Sequence, residues 1–192
     1  MTPNRKSKRS VVVAAAAFGV LIALLTSACG ESKADKEVAQ YADSLCTSIS
    51  GWETNVTNIA SRLDTGSPAA VTRGKLNEAA ASTVGLVNQI HSLDVPSVKG
   101  ADEAKQSVDR FVLDSTTTVA SVQAGARQIH SYGTGAQNVA AVALPLGLQL
   151  EHLVTEGKTT VADLQAIKGP FEHAVKKSKA CQALKPSDGE QA

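Results

Sequence analysis

Aromatic side chains are scarce in this sequence: three Phe, two Tyr and one Trp among 192 residues. Ala, Ser, Thr and Val supply much of the rest. A core built from such small side chains is narrow, which suits close-packed helices better than a roomy ligand cavity. Beyond Met1 there is no methionine, so one common axial haem ligand is missing. Cysteine is limited to Cys29, Cys46 and Cys181, with no Cys-x-x-Cys redox pair. The histidines are His91, His130, His152 and His173, and no two lie three or four residues apart. No helix can therefore present the paired ligands of a zinc or di-iron site. No Gly-x-Ser-x-Gly elbow, phosphate-binding glycine loop or internal repeat occurs. Carboxylates such as Glu53, Asp109, Asp114 and Glu151 fall within helical segments, where solvated faces are the default. No catalytic residue, cofactor or metal site is expected, and the expectation is a protein that is not an enzyme.

What is present begins with a charge asymmetry. The opening "MTPNRKSKRS" carries Arg5, Lys6, Lys8 and Arg9 and no acid, and an apolar run of 15 residues follows, from Val11 to Leu25. A basic segment, a short apolar segment and small residues, in that order, read as a secretory signal peptide over residues 1–28. The run is shorter than the roughly 20 residues a membrane-spanning helix needs, so a retained anchor helix is the weaker reading.

The stretch "LTSAC" that closes this segment resembles the lipobox of bacterial lipoproteins. Ala28 stands at the small residue before the cut, and Cys29 at the cysteine that becomes the acylated first residue. Thr26 stands where the family usually has an aliphatic residue, with Leu25 one step earlier. The resemblance implies lipid attachment at Cys29. The membrane is then one partner, and the location is the outer face of the cytoplasmic membrane. Ordinary cleavage after Ala28, giving a secreted chain, is the alternative.

Setting aside the four signal cations leaves 15 Lys and Arg against all 18 acids, a net charge of −3. A mildly acidic exported domain has no electrostatic footprint for nucleic acid. Only the last helical segment is locally basic, through Lys176, Lys177, Lys179 and Lys185. Cations suit the C-terminal end of a helix, so a solvated face is the ordinary reading of that cluster. Contact with anionic lipid headgroups is the sharper one.

From Cys29 to Asp35 a short polar tether is expected, reaching within roughly 20 Å at full extension. Residues 36–184 then read as one helical domain, and 185–192 as a disordered tail. Helix 1 is expected over 36–63, with Asp35 as N-cap and Val38, Tyr41, Leu45, Ile49, Trp52, Val56, Ile59 and Leu63 as its apolar stripe. Helix 2 is expected over 69–93, with Leu76, Ala79, Thr83 or Val84, Val87, Ile90 and Leu93 facing inward. Helix 3 is expected over 97–131, beginning late because of Gly100, with a stripe of Val98, Ala101, Ala104, Val108, Phe111, Ser115, Val119, Val122, Ala126 and Ile129. Helix 4 is expected over 137–167, with Pro145 bending it and Val139, Val142, Leu146, Leu150, Leu153, Gly157, Val161 and Leu164 on one face. Helix 5 is expected from Pro170, at its first turn, to Leu184. No segment alternates with the period of a strand.

The fold class is therefore all-α: an antiparallel up-down-up-down four-helix bundle with a short fifth C-terminal helix. In that topology helix 5 rises beside helix 1. Cys46 and Cys181 then stand at similar heights, about 15 Å along their helices at 1.5 Å per residue. In an oxidising compartment the pair reads as a disulfide, which leaves Cys29 over for acylation. His91 and His173 are the only histidines that fall near the same end.

The whole is similar in style to the small secreted lipoproteins of actinobacteria, which carry such a signal, an Ala- and Thr-rich helical body and a cysteine pair near its two ends. The expected role is a non-enzymatic cell-envelope lipoprotein, an interaction module with an envelope protein as partner. The alternative is a carrier for a small apolar ligand, lipid or haem, held between helices near Pro145 with Trp52 or Phe111 as lining.

Overall fold

A computed structural model of the chain describes residues 32–63, 67–131 and 135–185. Cys29, the segment 1–28 and most of the expected tail lie outside the described residues. Every regular element among the described residues is helical: α1 Lys33–Ala60, α2 Ala69–His91, α3 Ala101–Ser131, α4 Ala136–Ala166, α5 Pro170–Lys177 and α6 Lys179–Ala183. The all-α expectation holds, with six helices in place of five.

The helix ends follow from local chemistry. α1 begins at Lys33, three residues earlier than expected, because Ser32 is the N-cap. The Asp35 N–H donates to Ser32 Oγ at 3.1 Å, and the Ser32 N–H donates to the Asp35 carboxylate at 3.2 Å. This reciprocal box satisfies two amide donors where a lone cap would satisfy one. Asp35, expected to be the cap, is its third helical partner instead. α3 begins only at Ala101, since Gly100 holds φ +89°, a left-handed conformation that ends regular structure before it.

The expected fifth helix is two helices. Ser178 leaves the helical region, with ψ at 123°, and separates α5 from α6. Its hydroxyl donates to Asp43 Oδ1 at 2.7 Å and accepts from the Cys181 N–H at 3.2 Å. A serine that can cap one helix and bond another element competes with helix continuation in this way.

The apolar stripe read for α1 is buried, together with Ala42 and Cys46 on its flank; only Leu63, beyond the helix end, is half-buried. In α3 and α4 the stripes are likewise buried along most of their length, including Phe111, Val122, Leu150, Leu153 and Leu164. In α2 the expected Leu76, Ala79 and Ile90 are buried, and the stripe is shifted only in part. Thr83 and Leu86 face inward, Val84 is exposed and Val87 is half-buried. Ala, Gly, Ser and Thr dominate this helix, so hydropathy alone marks its inner face weakly.

One layer draws on all four long helices. Trp52 of α1 meets Phe111 of α3 edge-to-face, with ring centroids 6.0 Å apart. The Trp52 Nε1–H donates to the Thr83 hydroxyl of α2 at 3.0 Å, and that hydroxyl donates onward to the Ala79 carbonyl at 2.8 Å. Gly157 brings α4 against Phe111 and Ile49. A Cβ there would stand 3.2 Å from Ile49 and 3.4 Å from Phe111, a tight fit that glycine relieves. Two polar links flank the layer: Glu53 pairs with Lys158 at 3.0 Å, and Ser107 donates to Asp163 at 2.8 Å.

The C-terminal helices are fastened to the first half of α1. Cys46 and Cys181 form a disulfide with Cα atoms 4.9 Å apart. Tyr41 and Phe171 stack edge-to-face at 6.2 Å, and Asp43 receives Ser178 as described. α4 runs unbroken through Pro145, which is exposed, so the amide hydrogen bond it cannot make is lost at the solvent side.

The disulfide closes a sequence separation of 135 residues. Its removal should lower stability by about 2–5 kcal/mol, the range that loop entropy supports. Denaturant unfolding of the mature protein with and without reductant measures this, and coincident midpoints would refute it. Thr83→Val should cost about 1–3 kcal/mol, because it leaves the buried indole N–H of Trp52 without an acceptor. Thermal unfolding of that variant reads the loss.

Candidate interaction surface

Among the described residues, surface troughs lie between the helices, three of which bear on function. The first, about 550 Å³, separates α1 from α2 and is lined by Thr47, Ser48, Gly51, Asn55, Ser82 and Gly85, with Trp52 at its edge. Its walls mix these hydroxyl and amide groups with the apolar surface of Trp52 and Leu86. The second, about 420 Å³, lies where α1 passes the α2–α3 connection, between Glu37, Gln40, Tyr41 and Ser44 on one side and Asp94 to Ser97 on the other. The third, about 520 Å³, opens between α1 and α4. The Glu53–Lys158 ion pair lies in it, with Val56, Leu148, Glu151 and His152 around. All three match small-ligand sites in volume.

Tyr41 is the most perturbed titrating group on these walls. It is 5% exposed. Burial pushes its phenol up to about 12 from the ordinary 10.0, and the Asp109 carboxylate adds to the shift.

The residues singled out by sequence distribute as follows. Cys29 lies outside the described residues. Cys46 and Cys181 are bonded to each other. His91 and His173 are both exposed, and His152 reaches Glu156 at 3.7 Å. The His130 side chain lies outside the described set. Among the described residues no three His, Cys, Asp or Glu side chains gather where they could hold a metal ion. The hydroxyls of Thr116 and Thr117 donate to the carbonyls of Val112 and Leu113 one turn back, the ordinary local role of such groups in a helix. Asp109 lies beside Lys105 and Glu53 beside Lys158.

Trp52 and Phe111 pack on each other in the core, and neither lines the trough that contains Leu148 near Pro145. Leu144 and Leu148, either side of Pro145, are instead among the most exposed large apolar residues, at 53% and 67%. Sequence reasoning placed α4's inner stripe correctly and did not anticipate this outward pair. The spacing of four residues was the available signal.

Sequence reasoning placed the basic C-terminal helices beside helix 1 but did not anticipate which charged groups meet there. Their anchoring to α1 brings His173 and Lys177 near Asp35. That carboxyl is held below its usual range first by the hydrogen bonds from Ser32, with the two cations contributing. Glu172 is likewise lowered, chiefly by the hydrogen bond from Lys176.

No described helix is long and apolar enough to cross a membrane. No protein-family model matches the chain, and no curated protein or solved structure matches it either.

Tyr41 contributes a share of stability that depends on pH in the alkaline range. Its folded pKa exceeds its unfolded value, so the stabilisation is whole below pH 10 and falls away between pH 10 and about 12, as unfolded chains ionise first. The difference is of order 2 kcal/mol. Thermal melts across that interval should show a shallower decline for Tyr41→Phe than for the parent protein. Equal declines would show that Tyr41 ionises as readily in the fold as outside it.

Proposed function

We propose that the protein is a non-enzymatic cell-envelope lipoprotein, a helical interaction module tethered through Cys29 to the outer face of the cytoplasmic membrane. The observation that carries this reading is the division of labour among three cysteines. Cys46 and Cys181 are joined. Cys29 is the one left over, and it stands directly after a basic segment, an apolar run and the small residues Ser27 and Ala28.

The body suits a display role. We infer that its four long helices form an antiparallel up-down-up-down bundle. Supporting pairs are Trp52 with Thr83, Ser107 with Asp163, and Gly157 beside Ile49 and Phe111. The pairs Tyr41–Phe171, Asp43–Ser178 and Cys46–Cys181, whose numbers rise together, support α5 and α6 running alongside α1 in its own direction. In that arrangement the α1–α4 trough, with Leu144 and Leu148 close by, lies toward the end of α1 remote from Cys29. That is the end a partner in the envelope would meet.

Intact mass of the protein recovered from membranes decides the anchor. The expected species begins at Cys29 and carries added acyl mass. A chain beginning at an unmodified Cys29, or one that keeps residues 1–28, would sink the reading. Crosslinking in the native envelope should then capture a protein partner, and Leu148→Lys should weaken that capture.

A further inference from the structure

The body and its C-terminal helices carry opposite charge. Residues 32–166 hold 10 Lys and Arg against 14 Asp and Glu, whereas residues 167–185 hold five Lys against a single acid, Glu172. Lys168, Lys176, Lys177, Lys179 and Lys185 are all exposed. Glu172 sits half-buried among them, 2.7 Å from Lys176 and 3.7 Å from Lys168. Such a cluster at a chain end is ordinarily a solvated face, and here two observations give it a direction.

The first is where the cluster is fastened. The Cys46–Cys181 bond, the Ser178–Asp43 hydrogen bond and the Tyr41–Phe171 contact all hold α5 and α6 against the first half of α1. The second is chain continuity. Ser32, the cap of α1, is three residues past Cys29, and three residues span at most about 10 Å. The cationic helices are therefore held along the half of α1 that is nearer in sequence to Cys29, with His173 and Lys177 close to Asp35. The acids of α1 in this region are engaged: Asp35 in the cap with Ser32, Asp43 with Ser178, and Glu37 with Lys33 at 3.6 Å. Lys36 adds another exposed cation.

We propose that the exposed face of α5 and α6 lies against anionic phospholipid headgroups of the membrane that holds the Cys29 lipid. This rests on acylation of Cys29. A lipid chain and a basic patch together give firmer attachment than either does. The patch also sets orientation. An anionic surface repels the acidic remainder of the body and attracts this one side, so the domain lies with α5 and α6 down.

The test uses the acylated protein as recovered from membranes, reconstituted into vesicles of phosphatidylglycerol or of phosphatidylcholine. An amine-reactive label followed by mass spectrometry reports the accessibility of each lysine. On phosphatidylglycerol, labelling of Lys176, Lys179 and Lys185 should fall at least about fivefold relative to phosphatidylcholine, the factor one surface cation contributes. High salt should restore it. The triple variant K176Q/K179Q/K185Q, altered only at exposed positions, should lose the protection of Lys36 and Lys168. The variant R62Q/R110Q/R127Q removes as much charge elsewhere and should keep it. Equal labelling on both vesicle types, with acylation confirmed by mass, overturns the docking and leaves the anchor standing. Protection that survives in the lysine variant also overturns it. An unmodified Cys29 sinks the anchor instead, and that outcome is read from the mass before any vesicle is made.

Discussion

The disulfide between Cys46 and Cys181 is the constraint on which the rest of the arrangement turns. α5 has eight residues and α6 has five. Helices that short do not persist in water on their own propensity. They exist because a covalent bond, a buried Phe171 and the Ser178–Asp43 hydrogen bond hold them to a helix of 28 residues. The same bond joins the two ends of the described chain. Whatever the C-terminal lysines do, they do it beside the start of α1.

The four long helices solve a different problem. Side chains this small bury little apolar surface each, so the helices have to come close together to gain contact. Gly157 permits that approach, and the Trp52–Phe111 pair supplies the bulk that Ala and Val cannot. The Trp52–Thr83 hydrogen bond lets a polar edge enter this layer without an unmet donor. An interior filled in this way leaves its openings at the surface, between α1 and its neighbours.

Much of the fold was legible from the chain alone. The 3- and 4-residue spacing from Val38 to Ile59 identified α1 and its buried face, and Pro68, Pro96 and Pro170 marked boundaries close to where helices end or begin. The errors have physical causes. Asp35 was read as a cap because single-residue capping was considered and the reciprocal pair with Ser32 was not. The break at Ser178 depends on Asp43, 135 positions away, and so has no local signature. Hydropathy left Thr83 and Val84 both open as the inward residue, and the hydrogen bond from Trp52 decides for Thr83. On the surface, sequence identified the lysine cluster but not its neighbours, and it missed the outward Leu144 and Leu148.

The sequence by itself determined the all-helical class and marked Cys46 and Cys181 as partners for each other. These follow from local periodicity, residue order and composition, which need no knowledge of distant contacts. Only the tertiary structure decided which side chains share the central layer, where the C-terminal cations sit relative to α1, and which leucines face outward. Those outcomes depend on pairs separated by tens to more than a hundred residues, and a linear pattern contains no record of such distances until the chain has closed on itself.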